Sequence, residues 1–144
     1  MKNLIKILLP ALFLIISIGV FGQNKKAAIN SIPSEIQNYV KNHFPNLSIV
    51  EVEMDYDDGF KEYEIELNDG TDLEFNHEFN IIKVDGKKHL PNSVIPHKIT
   101  QYINDHYPNQ KITDWEMKRN MQEVKLNNDI ELEFDLNGDF IRID

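Results

Sequence analysis

Carboxylates at every second position are the chemistry this chain offers most freely. Glu51, Glu53 and Asp55 alternate with Val50, Val52 and Met54; Glu62, Glu64 and Glu66 alternate with Tyr63, Ile65 and Leu67; Asp72 and Glu74 alternate with Leu73 and Phe75. Extended backbone turns successive side chains to opposite faces, so these acids share one face of a sheet and the apolar residues the other. Asp114, Glu116, Glu131, Glu133 and Asp135 extend the acidic set in the second half. Like charges directly opposite one another across strands cost up to roughly 1 kcal/mol per pair. Such a face is either a solvated surface that discourages aggregation, or one relieved by counter-charge from a basic protein surface or from weakly held divalent cations. The acidic hairpin around Asp57-Asp58-Gly59 adds the aromatics Tyr56 and Phe60, with Met121 in the corresponding later hairpin. The predicted partner-binding set is therefore Glu51, Glu53, Asp55, Tyr56, Asp57, Asp58, Phe60, Glu62, Glu64 and Glu66.

Other candidate chemistries are weaker on their spacing. Asp55, Asp57 and Glu66 fit three places of a calcium loop, but Gly59 and Phe60 occupy its fifth and sixth places, and Glu62–Leu67 reads as a strand instead of an exit helix. An ordinary hairpin turn is expected there. His43 and His106 fall in the last turns of two helices, where a ring N–H suits free carbonyls; neither has a second ligand at zinc spacing. Ser31, Ser34, Ser48 and Ser93 lack a glycine-flanked elbow and a histidine in recognisable order. General acid–base work needs a carboxylate moved into an apolar pocket, which an open alternating face does not provide. Trp115, on the apolar parity, is read as core packing between two halves. No enzyme and no cofactor are expected.

Composition narrows the partner and the compartment. Lys2 and Lys6 precede an apolar run from Ile7 to Phe21, broken by Ser17, with Val20-Phe21-Gly22 before Gln23. That run of about 15 residues is short of the roughly 20 that span a bilayer, so a cleaved signal peptide is expected over residues 1–22, with the product periplasmic or secreted. The chain has no cysteine, which excludes a lipid-bearing thiol and disulfide stapling alike. Beyond residue 22, 13 basic residues face 24 acidic ones, a formal charge of −11. This charge argues against nucleic acid or an anionic membrane as partner.

The elements that must position the carboxylates occur twice. Ile32-Pro33, Tyr39, His43-Phe44-Pro45-Asn46, Glu53-Met54, Leu67-Asn68 and Leu73-Glu74-Phe75 return as Ile95-Pro96, Tyr102, His106-Tyr107-Pro108-Asn109, Glu116-Met117, Leu126-Asn127 and Leu132-Glu133-Phe134. The offset is 63 residues as far as Met54/Met117 and 59 from Leu67/Leu126 onward, so the length change falls in the first hairpin. In each copy a proline at the first helical position opens a helix, with Ser31 near enough to help cap the first, and Pro45 or Pro108 stops it. Four period-two runs follow, separated by Asp57-Asp58-Gly59, Asn68-Asp69-Gly70 and Asn76–Asn80, then by Asn127-Asn128 and Asn137-Gly138. The expected fold is α+β: two tandem α-β-β-β-β repeats forming an antiparallel sheet with both helices packed on one face. The segments are 1–22 signal, 23–31 leader, 32–86 first repeat, 87–94 connector and 95–144 second repeat.

These features resemble the PepSY-like family of exported bacterial proteins, similar in fold to the beta-lactamase inhibitor protein. The resemblance rests on the signal, the Ile-Pro helix openings, His43-Phe44-Pro45 and His106-Tyr107-Pro108, the Glu-rich first strand, and the Leu67–Phe75 and Phe134–Phe140 hairpins. It implies binding or inhibition outside the cytoplasm and transfers no individual functional residue. His77-Glu78-Phe79-Asn80 departs from the family's glycine turn, which predicts a wider last hairpin in the first repeat. The functional expectation is an exported, non-enzymatic binding or inhibitor-like module engaging a basic protein partner through its acidic face and hairpin. The alternative is a periplasmic small-ligand or divalent-cation sensor.

Overall fold

The computed structural model describes residues 25–26, 28–57 and 60–144. The predicted signal peptide therefore lies outside the described residues, as do Asp58 and Gly59 of the first hairpin. The chain runs β1 (Lys25–Lys26), α1 (Ser34–His43), β2 (Ile49–Asp57), β3 (Phe60–Leu67), β4 (Asp72–Phe75), β5 (Ile81–Asp85), α2 (His97–His106), β6 (Ile112–Met117), β7 (Gln122–Leu126), β8 (Glu131–Phe134) and β9 (Phe140–Ile143), with short 3-10 turns at Ile29–Ser31 and Asn92–Val94 before the helices. All strands join one antiparallel sheet in chain order. The halves meet where β5 pairs with β6: Lys83 opposite Glu116, Val84 opposite Trp115 and Asp85 opposite Asp114.

The core follows from the alternation. Val52, Ile65, Leu73, Val84, Trp115, Val124 and Leu132 stand opposite one another in strand order and are all buried. Ile36 and Val40 of α1 and Ile99 and Ile103 of α2 are buried in the same cluster. Tyr39 meets Phe75 edge-on at 5.3 Å, and the equivalent Tyr102 meets Phe134 edge-on at 5.4 Å. At Gly86 the connector turns so tightly that an added Cβ would lie 2.6 Å from Leu90 Cδ2 and 2.8 Å from the Lys88 carbonyl oxygen, so only glycine fits without displacement. Leu90 is tucked into the core and its N–H donates to the Ile112 carbonyl. The short connector is thus part of the packed unit.

Several local expectations are corrected. Each helix begins one residue later than predicted: Pro33 and Pro96 are N-caps with extended ψ, and their carbonyls accept from Gln37 and Thr100. Ser31 does not cap α1, because its hydroxyl donates to the Ala28 carbonyl within the preceding turn. Val50 is exposed, because a bulge between Ile49 and Glu51 inserts it as an unpaired residue and gives Ile49 the inward place. An equivalent bulge lies between Ile112 and Asp114.

The last hairpin of the first repeat is not wider. Asn76 N–H donates to the Asn80 carbonyl and Phe79 N–H to the Asn76 carbonyl, matching Asp135 to Asp139 and Gly138 to Asp135 in the second repeat. Phe79 adopts the left-handed backbone, φ 63°, that Gly138 adopts at φ 82°. Its ring packs edge-on against Tyr63 at 5.8 Å, a contact that offsets the steric penalty of a side chain in that region. The exchange is reciprocal, since Gly70 of the first repeat corresponds to Asp129, also left-handed at φ 64°. These two turns therefore keep a left-handed residue at the same place in both repeats even where glycine, which best permits it, is replaced.

Candidate functional site

Register converts alternating acids into rows that run across the sheet. One row places Glu51 opposite Glu66, Glu66 opposite Asp72, Asp72 opposite Asp85 and Asp85 opposite Asp114, five carboxylates in succession before Lys125 and Glu131 close the line. A second row runs Glu53, Glu64, Glu74, Lys83, Glu116, Glu123, Glu133 and Arg142. Asp55 stands opposite Glu62 at the start of a third. The sequence reading overlooked Asp85, which links the acids of both halves; its position after the buried Val84 was the signal that could have found it.

The rows are not uniformly acidic. Lys83 Nζ lies 2.8 Å from Glu74, Lys118 Nζ 2.8 Å from Glu123, and Lys125 Nζ bridges Asp129 and Glu131 at 3.5 and 3.8 Å. Arg142 lies 2.7 Å from Glu133, whose side chain is almost wholly buried. Carboxylates of the second repeat are thus largely answered from within. Asp135, which the sequence assigned to the face, is instead consumed by its turn: its Oδ1 accepts from the N–H groups of Asn137 and Asp139. The predicted hairpin tip is only partly described. Tyr56 is prominently exposed, Asp57 stands opposite Phe60, and β2 and β3 continue as one hairpin with no exit helix.

Electrostatics mark where the acids crowd. Partial burial, then the charges of Glu74, Glu53 and Asp72, raise the Glu64 carboxyl above its ordinary value. Burial and the Asp85 charge raise Asp72 against the opposing influence of Lys87. Asp114 is raised by burial and by Asp85, although the Thr113 hydroxyl donates to it at 2.6 Å. Asp135 is lowered, first by the Asp139 backbone N–H.

These directions fix a pH dependence. Glu64, Asp72 and Asp114 bind protons more tightly folded than unfolded, so the cost of burying their charges beside neighbouring acids is fully present at neutral pH and is relieved as pH falls through the raised values. The melting temperature is expected to rise on acidification from about pH 7 to about pH 5 at low salt. At lower pH, protonation of the depressed Asp135 removes its turn-stabilising contribution and reverses the trend. A melting series showing a monotonic fall from pH 7 downward would remove the repulsive rows from the account.

His43, His106 and Trp115 make contacts within the fold. His106 Nδ1 lies 3.0 Å from the Tyr102 carbonyl oxygen and its ring stacks on Tyr102 at 4.0 Å. The His43 ring lies tilted against Tyr39 at 4.3 Å and its Nδ1 meets the Ser93 hydroxyl at 2.9 Å, tying α1 to the connector. Trp115 is buried and its Nε1–H donates to Gln122 Oε1 at 3.1 Å, while Gln122 Nε2 donates to the carbonyls of Asp135 and Leu136. Carboxylate oxygens of Glu123, Glu133 and Asp144 lie within 4.8 Å of one another, but Lys118 and Arg142 already engage the first two.

A family model described as "Putative beta-lactamase-inhibitor-like, PepSY-like" matches the chain twice, over residues 20–83 and 84–142. Among solved structures, a "putative calcium-regulated periplasmic protein" from Bacteroides thetaiotaomicron is 33% identical, with TM-score 0.78, over 84% of this chain and 96% of that one. A "putative periplasmic protein" from Bacteroides vulgatus is 31% identical, with TM-score 0.79, over 84% of this chain and 96% of that one. Another from the same organism, described as of unknown function, is 26% identical, with TM-score 0.80, over 85% and 99%. No curated protein matches the chain. Among the described residues, no helix is long and apolar enough to cross a membrane.

Proposed function

From the premise that the chain belongs to the PepSY-like, beta-lactamase-inhibitor-like family, we propose that it is an exported, non-enzymatic binding module that engages a basic protein partner through its acidic sheet face. In this reading residues 1–22 are a cleaved signal, and the two tandem repeats place both helices on the apolar face, leaving the opposite face open for contact. The ring contacts of Tyr39 and Tyr102 with Phe75 and Phe134, which share that apolar parity, support this placement. The periplasmic description of its relatives supports the export. The observation that carries the reading is the row from Glu51 through Glu66, Asp72 and Asp85 to Asp114, where five strands in succession present carboxylates with no intervening base. Lysine or arginine side chains laid along that row would lower the raised carboxyls and convert repulsion into attraction. No catalytic role is assigned, because the raised acids stand on an open face and not in an apolar pocket.

Capture of partners from an envelope fraction tests this. Binding should fall several-fold between about 50 and about 300 mM salt, since exposed charges are screened over a shrinking Debye length. Captured partners indifferent to salt would sink the reading. The second reading, a divalent-cation sensor, is favoured by Asp85 facing Asp114 directly across β5 and β6 and by the calcium-regulated description of one relative. It predicts that millimolar calcium raises the melting temperature beyond sodium chloride of equal ionic strength. Equal effects of the two salts would count against a cation site.

A further inference from the structure

The sheet joins its two repeats by a rule that its ends could repeat. At the internal junction the fourth strand of one repeat, β5, pairs with the first strand of the next, β6, setting Lys83 against Glu116, Val84 against Trp115 and Asp85 against Asp114. The strand equivalent to β5 is β9, with Arg142, Ile143 and Asp144 in the places of Lys83, Val84 and Asp85; the strand equivalent to β6 is β2, with Glu53, Val52 and Glu51 in the places of Glu116, Trp115 and Asp114. Among the described residues β9 pairs only with β8 and ends the sheet. Val84 is 0% exposed at the internal junction, whereas its counterpart Ile143 is 55% exposed, and Ile141 and Phe140 beside it are also exposed. A residue type suited to burial stands at a position that no described residue covers.

We infer that the outer edge of β9 is a docking edge for the β2 strand of a second copy of this chain, joined head to tail in the register of the internal β5–β6 junction. Arg142 would then face Glu53 of the other copy as Lys83 faces Glu116, and Ile143 would be covered beside Val52. The same register explains β1. Lys26 stands opposite Glu53 as Lys83 stands opposite Glu116, so this two-residue strand occupies on β2 the place that β5 occupies on β6. Head-to-tail contacts close into a ring where the rotation between copies allows it and otherwise run on as open assemblies. β1 is a small, displaceable cover on the acceptor strand, and it keeps that association weak.

The absence of cysteine makes the pairing directly readable. Single variants Asp144→Cys and Glu51→Cys of the exported form, which leave the ion pair of Arg142 with Glu133 intact, are mixed in a mild redox buffer and resolved without reductant; Arg142→Cys with Glu53→Cys gives a second pair, which removes that ion pair. Directly opposed positions on paired strands are close enough for a disulfide. Mixed dimers should exceed same-variant dimers several-fold for both pairs, and Lys25→Pro with Lys26→Pro in the acceptor should raise their yield further. Same-variant Asp144→Cys dimers in equal or greater yield would instead mean β9 against β9. Either that outcome or monomers alone up to hundreds of micromolar would overturn the inference.

Discussion

Trp115→Ala is expected to cost about 3–5 kcal/mol of folding stability, the largest loss from any single truncation in this chain. Trp115 is 3% exposed and stands opposite Val84 where β5 of one repeat meets β6 of the next. Its removal opens a cavity at the junction and also leaves Gln122 Oε1, buried beside it, without its donor. Gln122 in turn holds the carbonyls of Asp135 and Leu136, so the damage reaches the last hairpin. Urea denaturation followed by far-UV circular dichroism measures the loss. In the parent, fluorescence of this sole tryptophan and circular dichroism should trace one coincident transition, since the halves share a core. A loss below about 1.5 kcal/mol, or two separated transitions in the parent, would mean that the repeats are only loosely joined.

Reversal of two charges on the acidic face is expected to have the largest functional effect. Glu64→Lys and Glu66→Lys together place bases among Glu51, Glu53, Asp72 and Glu74, the cross-strand neighbours of those two positions. Each substitution turns a like-charge pair into an opposite-charge pair, so the variant should fold at least as stably as the parent. A basic partner, by contrast, would meet repulsion where it had met attraction, and its capture should fall at least tenfold. Higher stability together with lost binding separates recognition from folding, a distinction that truncations in the core cannot make.

Most of this architecture was legible because the two repeats speak to the same pattern twice. The helix stops at Pro45 and Pro108, the alternation around Val52 and Trp115, and the order of the strands all follow from period and punctuation. What escaped notice was set by pairing and not by pattern. Val50 looks inward by alternation and is exposed, because a bulge adds one residue to its strand. Phe79 replaces a glycine, yet the turn keeps its shape, since the hydrogen bonds of Asn76 and the contact with Tyr63 hold the left-handed backbone. The acidic face was visible as a list of residues. Its organisation into rows, the bridging place of Asp85 and the basic answers from Lys83, Lys125 and Arg142 depend on register across strands distant in sequence. The first hairpin remains the region where the repeats differ most, though the continuous row of carboxylates shifts attention from its tip to the sheet surface behind it.

Capture from an envelope fraction at low salt, run side by side with the parent and with the Glu64→Lys and Glu66→Lys variant, decides whether the acidic face binds a partner. Proteins retained by the parent should be lost from the variant while its melting temperature holds or rises. The same proteins retained equally by both would contradict that role, and the acidic face would then be no more than a solvated surface.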